Sequence, residues 1–176
     1  IYKNRRGWIH GHTFNLPKFR DMYWKYSVKE AYGKNPQDDE ALHFEQTLLE
    51  KKNTRSWPVY KIADDPRKTR VGRVIERFSL DELPQLWNVF RGDMSLIGPR
   101  AHQPREVEWY EEYQYQVLTV KPGITGMAQV HGRDTNSFRD EVDLDVYYIE
   151  HYSLWLDIEI AFRTIFVVIR RGIRGK

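Results

Sequence analysis

From Phe138 to Arg171 the chain reads as two helical stretches that meet near Ser153, and this pair limits the possible folds more than any other feature. The second stretch carries Trp155, Leu156, Ile158, Ile160, Phe162, Ile165, Phe166 and Val167 through Ile169, and closes on Arg170 and Arg171. Such an apolar stripe needs a partner. A protein core would cover it, and so would a membrane interface, with the terminal cations among headgroups. No run approaches 18 uncharged apolar residues, so no segment reads as a helix that crosses a bilayer. At 176 residues, with 40% hydrophobic and 14% aromatic side chains, the chain can build one core and leaves little room for a second domain. The expectation is a single helix-rich α/β (α+β) domain over residues 1–176 with a small β-sheet and amphipathic helices toward the C-terminus.

The rest of the chain supplies shorter elements. Residues 13–20 look extended, with Pro17 confining them to a sheet edge or bulge and Lys18 and Arg20 at the end. A breaker cluster at 33–38 precedes a helix from Asp38 to Lys52, whose acids come first and lysines last, with Leu42, Leu48 and Leu49 on its apolar side. Asp65-Pro66 reads as the start of a helix through Val71, Val74, Ile75 and Phe78. A further helix is expected from Ser79 to about Phe90, ended by Gly92, and another around Glu106–Gln116. Lys121-Pro122-Gly123 is a turn and Ile124–Val130 a strand candidate.

Charge is unevenly placed. Residues 1–20 hold five cations and no acid, and so do residues 161–176, while the net charge is only +3. The body between is therefore acidic. Two basic ends suit a polyanionic partner such as anionic headgroups, phosphates or nucleic acid, and they suit solvated termini equally well. With no cysteine, disulfides, thiolate catalysis and Cys-ligated zinc or iron–sulfur sites are excluded. G-x-x-x-x-G-K-[ST], G-x-G-x-x-G, G-x-S-x-G and H-E-x-x-H patterns are also absent. The histidines at 10, 12, 43, 102, 131 and 151 have no i, i+4 pairing and read as structural or surface residues.

The most pointed segment is Ser79-Leu80-Asp81-Glu82-Leu83-Pro84-Gln85. Ser79 and Glu82 have capping-box spacing, and Asp81 adds a favourable first-turn charge, so helix capping explains much of it. Two adjacent carboxylates can also divide labour, one attacking phosphorus and the other holding a divalent cation. Arg67, Lys68, Arg70, Arg73 and Arg77 precede the pair, and Arg100 follows in a Gly-Pro-Arg loop, which is the mix that metal-assisted phosphoryl transfer requires.

Several ordered segments resemble one family. They are Lys18-Phe19-Arg20-Asp21-Met22, Asp65-Pro66-Arg67, Ser79 to Gln85, Leu86-Trp87-Asn88-Val89, Gly92 to Arg100, Lys121 to Gly126, Ala128-Gln129-Val130, Gly132-Arg133, Leu144 to Tyr148 and Ser153 to Asp157. Together these resemble the catalytic domain of bacterial sugar transferases, the monotopic polyprenyl-phosphate phosphoglycosyl transferases, from about Lys3 to Arg171. The resemblance implies transfer of a sugar-1-phosphate from a UDP-sugar to polyprenyl (undecaprenyl) phosphate on the cytoplasmic face of the bacterial inner membrane, with release of UMP. It implies Asp81 as nucleophile, Glu82 as ligand of Mg²⁺, and Lys18, Arg20, Arg77, Arg100 and Arg133 as donor-binding cations. It implies a membrane surface as partner, with membrane-associated amphipathic helices toward the C-terminus, and it is compatible with a homo-oligomer. No segment resembles a groove-reading helix or an aromatic-stacking sheet, so no nucleic acid is expected as partner.

The sequence departs from the family pattern in places. Glu76-Arg77 stands where a basic pair is common, Ala101 replaces a proline after Arg100, and His131 replaces an asparagine. Residues 22–64 are longer than in the shortest members. The family's N-terminal re-entrant membrane helix is not in this sequence, as expected for a chain cut before Ile1, and Lys3, Arg5 and Arg6 would then lie at headgroups. Other readings remain: a glycosyltransferase or hydrolase acting on the same nucleotide sugar, or a nucleic-acid binder using the basic ends.

Overall fold

A computed structural model of the chain describes residues 1–8, 12–26, 36–55, 58–132 and 137–174. Strands β1 (Tyr2–Trp8) and β2 (His12–Lys18) form an antiparallel hairpin in which Lys3 faces Pro17 and Arg6 faces Phe14. A two-stranded ribbon leaves each strand an edge, which is where Pro17 is tolerated. Strands β3 (Ser95–Ile97) and β4 (Gly123–Thr125) make a second, parallel pair. The remainder is mainly helical, with α1 at Pro36–Lys52, α2 at Arg70–Arg77, α3 at Leu86–Arg91, α4 at Pro104–Val107 and α5 at Met127–Val130. Helices α6 (Phe138–Glu150) and α7 (Leu154–Arg174) complete it. The helix-rich fold with small sheets is the expected class.

Two apolar clusters hold the domain. Val142 and Val146 of α6 pack with Val59, Tyr110, Val117 and Phe138. Phe14 and Leu16 of β2 pack with Met94 and Ala101, flanked by Val89 and Ile124. Alternation along β2 therefore puts Phe14, Leu16 and Lys18 on one face, two in the core and the third beyond it. Glycine is obligatory beside this face. A Cβ on Gly123 would sit 2.2 Å from the Gly98 nitrogen, so β4 and the 98–100 loop lie backbone to backbone.

Several boundaries differ from the sequence expectations. α2 begins at Arg70 with Thr69 as cap, its Oγ accepting from Gly72 N at 2.8 Å, and not at Asp65-Pro66. Asp65 is instead buried against Arg67, whose Nε and Nη2 donate to it at 3.0 and 2.8 Å. The expected helix from Ser79 breaks into a 3-10 helix, Leu80–Gln85, and α3. The 106–116 stretch splits into α4 and a 3-10 helix at Glu112–Thr119. The 124–130 strand is only its first two residues, and α5 takes over. Leu42 of α1 is exposed. Of the breaker cluster at 33–38, residues 33–35 lie outside the described residues and 36–38 already belong to α1, which starts at Pro36 and not at Asp38.

The cations before Asp81 are less free than expected, because Arg67 also pairs with Glu45 at 3.2 Å and Lys68 with Glu76. Arg6 is buried too, 3.6 Å from Glu106, and does not face outward with Lys3. α6 turns its apolar face to the core, whereas α7 leaves Trp155, Phe162, Ile165, Phe166 and Ile173 largely exposed. No helix among the described residues is long and apolar enough to cross a membrane.

Candidate active site

The carboxylate pair sits at a strained turn. Ser79 adopts φ 54°, ψ 23°, a left-handed conformation unusual for a residue with a Cβ, and its side chain makes no capping hydrogen bond. The expected capping box therefore does not form, and the reason lies in β2. Glu82 does not reach back to Ser79, because its Oε1 accepts from Lys18 Nζ at 3.0 Å. The same ammonium donates to Asp81 Oδ2 at 3.1 Å, and Phe19 N donates to the Asp81 carbonyl at 2.9 Å. The end of β2 is thus fastened to the 3-10 helix through backbone and side chain, and Lys18 bridges both acids. Asp81 is 9% exposed. Two adjacent carboxylates this shielded repel each other unless a cation lies between them.

A third carboxylate, Asp21, stands nearby. Burial raises its pKa, Glu76 and Asp81 push the same way, and Lys68 opposes them. Its carbonyl accepts from Thr69 N at 2.9 Å, and a Cβ on Gly72 would overlap it, so the chain after Arg20 is pressed onto α2. Arg20 lies over the Trp24 ring at 4.5 Å. Arg77 is half-buried at the end of α2, two residues before Ser79. Arg133 lies outside the described residues.

Arg100 stands by the second apolar cluster, in which its neighbour Ala101 packs with Phe14 and Leu16 of β2. Its backbone N–H donates to Asp145 Oδ2 at 2.9 Å and its Nη1 to Glu141 Oε2 at 3.0 Å. Behind it lies a buried charge cluster that local sequence pattern did not reveal. The fully buried His102 ring stands 3.4 Å from Glu106 and 3.8 Å from Asp145, and Arg55 pairs with Glu141 at 3.1 Å. Burial disfavours a charged His102, but the Asp145 and Glu106 carboxylates outweigh it and raise its pKa. Burial would likewise raise Glu106, yet His102, Arg100 and Arg6 hold it far below the ordinary carboxylate range. The signals in the sequence are the i, i+4 spacing of Glu141 with Asp145 and of His102 with Glu106, too common to single out, and the place of Asp145 in the family-like segment Leu144 to Tyr148.

Beside Glu82 an apolar cavity of about 220 Å³ opens between the 3-10 helix and α7, with Leu80, Leu83, Leu86, Val130 and Val167 in its walls. Arg171 and Gln129 also line it, and Gln129 Oε1 is buried without a hydrogen-bond partner. Trp87 and Phe90, stacked at 5.6 Å, are exposed on α3, and Phe90 is 82% exposed.

A model of the family described as bacterial sugar transferase matches residues 1–171. The chain belongs to that family. It is 40% identical over 97% of its length to the UDP-galactose-lipid carrier transferase of Erwinia amylovora, and equally so to the undecaprenyl-phosphate galactose phosphotransferase of Salmonella typhimurium. It covers 33% of each of those relatives, about a third of their length. Over 57% of the chain it is 49% identical to an Aeromonas hydrophila UDP-N-acetylgalactosamine-undecaprenyl-phosphate N-acetylgalactosaminephosphotransferase, of which it covers 25%. The exopolysaccharide production protein ExoY of Rhizobium meliloti is 38% identical over 94% of the chain, which covers 68% of that protein.

Proposed function

We propose that the chain is the catalytic domain of a phosphoglycosyl transferase that moves a sugar-1-phosphate from a UDP-sugar to a polyprenyl phosphate. The observation that carries this reading is the Lys18 bridge to Asp81 and Glu82 at a strained turn, a geometry that helix capping does not require. With Oδ2 of Asp81 held by Lys18, the other carboxylate oxygen is oriented to attack. It forms a bond to the phosphorus that bears the sugar, and the bond from that phosphorus to the UMP oxygen breaks, so UMP leaves. An oxygen of the polyprenyl phosphate then attacks the same phosphorus and the Asp81 carboxylate is released.

The acids also fit a divalent cation. Their part-buried oxygens already take an ammonium at 3.0 and 3.1 Å, and no group of three or more such side chains is arranged to hold a metal ion among the described residues. Magnesium is commonly held by one or two carboxylates, with substrate phosphates and water completing its shell. Glu82 would hold it, where it would neutralise charge on the diphosphate. Lys18 keeps Asp81 in place, and Arg20, Arg77 and Arg100 would supply cations around the donor.

The exposed apolar side chains of α3 and α7 would rest in the membrane interface, with the cavity beside Glu82 receiving the first isoprenyl units and Arg171 at its rim. The reaction would then lie at the cytoplasmic leaflet, where UDP-sugars are found. If so, the protein floats with anionic phospholipid vesicles and Trp87→Ser with Phe90→Ser weakens that flotation; equal flotation removes the interface assignment.

The test of function is the nucleotide released from UDP-galactose and UDP-N-acetylgalactosamine with Mg²⁺ and a short polyprenyl phosphate, using the full natural polypeptide. UMP that depends on lipid and disappears in Asp81→Asn is the expected result. Release of UDP would overturn the mechanism, because a glycosyltransferase breaks the sugar–oxygen bond and needs no carboxylate on phosphorus.

A further inference from the structure

The buried acids of α6 do more around Arg100 than stability requires. Glu141 is 1% exposed and Asp145 is fully buried, and they stand one helical turn apart. Burying two carboxylates is costly unless each is paired, and apolar side chains of similar volume commonly serve stability as well or better. Here both acids converge on one partly exposed arginine. Asp145 takes its backbone N–H and Glu141 takes its Nη1, while Arg55 occupies the other oxygen of Glu141. The main chain is held from the opposite side as well, since Gly123 N donates to the Pro99 carbonyl at 2.8 Å and Gly98 has no room for a Cβ beside the Lys121 carbonyl. A guanidinium is planar, so fixing one nitrogen and the backbone fixes the direction of its Nε–Nη2 edge. A fork aimed in advance binds phosphate without losing side-chain entropy at that moment.

We propose that Glu141 and Asp145 are positioning residues that aim Arg100 at the diphosphate of the nucleotide sugar. The inference rests on the reading of Arg100 as a donor contact. The acids touch no substrate themselves. They act through the arginine, so their effect should exist only while Arg100 is present.

A double-mutant cycle on UDP affinity tests this, with UDP as the probe because it carries the recognised phosphates whichever sugar is used. Calorimetry on the full natural polypeptide compares Arg100→Met, Glu141→Gln and the double variant, with melting temperatures recorded beside them. Loss of one charge-assisted contact corresponds to roughly tenfold in affinity. Glu141→Gln is expected to weaken UDP by about that factor in the wild-type background and by less than about twofold in Arg100→Met. Equal weakening in both backgrounds, or unchanged affinity in a folded Glu141→Gln protein, overturns the positioning role. Wild-type UDP affinity in Arg100→Met overturns the donor-contact reading itself, which is a separate result. Should Glu141→Gln not fold, Arg100→Lys decides: it keeps the charge and loses the fork, so about tenfold weakening is expected, and wild-type affinity refutes the need for an aimed guanidinium.

Discussion

Replacing Lys18 by methionine isolates the bridge on which the site depends. The substitution keeps most of the stem and removes an ammonium 3.1 Å from Asp81 and 3.0 Å from Glu82. A hydrogen bond to a charged partner contributes about 1.5–3 kcal/mol, so two such contacts have a gross value of about 3–6 kcal/mol. The Lys18 side chain is 26% exposed and each acid's is 12% exposed, so water competes for part of this. A net loss of about 2 kcal/mol at neutral pH is the expected outcome, or about 4–8 °C in melting temperature for a chain of this size. Removing one acid first should relieve the repulsion that Lys18 screens, so in Glu82→Gln the same change should cost only about 1 kcal/mol. The assay is urea unfolding of the four proteins at neutral pH, with UMP release measured on the same samples. An unchanged urea midpoint together with unchanged turnover in Lys18→Met would refute the argument, because the acids would then need no cation between them.

Ser79 and His102 offer two further tests. In a left-handed position Ser79→Gly should be neutral or stabilising by up to about 1 kcal/mol and Ser79→Ala nearly neutral, whereas loss of a true N-cap would make alanine about 1 kcal/mol worse; chemical denaturation separates the two. His102 has a folded pKa above its unfolded value of about 6.5, so its stabilising charge is fully present below that value and is lost as pH rises through the folded pKa. The stability gap between wild type and His102→Gln should therefore be widest near pH 5.5–6 and narrow on the alkaline side, as followed by urea midpoints; a gap independent of pH would mean that the ring is neutral between Glu106 and Asp145.

The sequence announced the elements whose signals are periodic and local. The α6–α7 junction at Ser153 is marked by a hydroxyl that caps α7 through Leu156 N at 3.2 Å, and the charge order of α1 follows the helix dipole. It misled where a carboxylate took a charged partner that capping rules do not anticipate. Asp65 has the form of a helix cap and is the buried partner of Arg67 two residues on, accepting both its backbone N–H and its guanidinium, and Glu82 has the form of a capping-box residue and is taken by Lys18, 64 positions earlier. Capping rules count only backbone N–H partners, and at both places a shielded carboxylate also needed a full charge beside it.

The same logic separates the two halves of the candidate site. Asp81 and Glu82 were readable because adjacent carboxylates at a helix start are chemically conspicuous on their own. The Arg100 support was not, because Glu141, Asp145, His102 and Glu106 each look like ordinary members of solvated helix faces until the fold buries them. β2 joins the halves, with Phe14 and Leu16 packed beside Ala101 and Lys18 on the carboxylates, so one strand face links the Asp81–Glu82 pair to the Arg100 loop. A shift of β2 by one residue would turn Lys18 away from Asp81 and Glu82 and put Phe14 into solvent together. The spacing between the two halves is therefore locked by the hydrophobic core, and the precision of the site depends on residues that carry no chemistry.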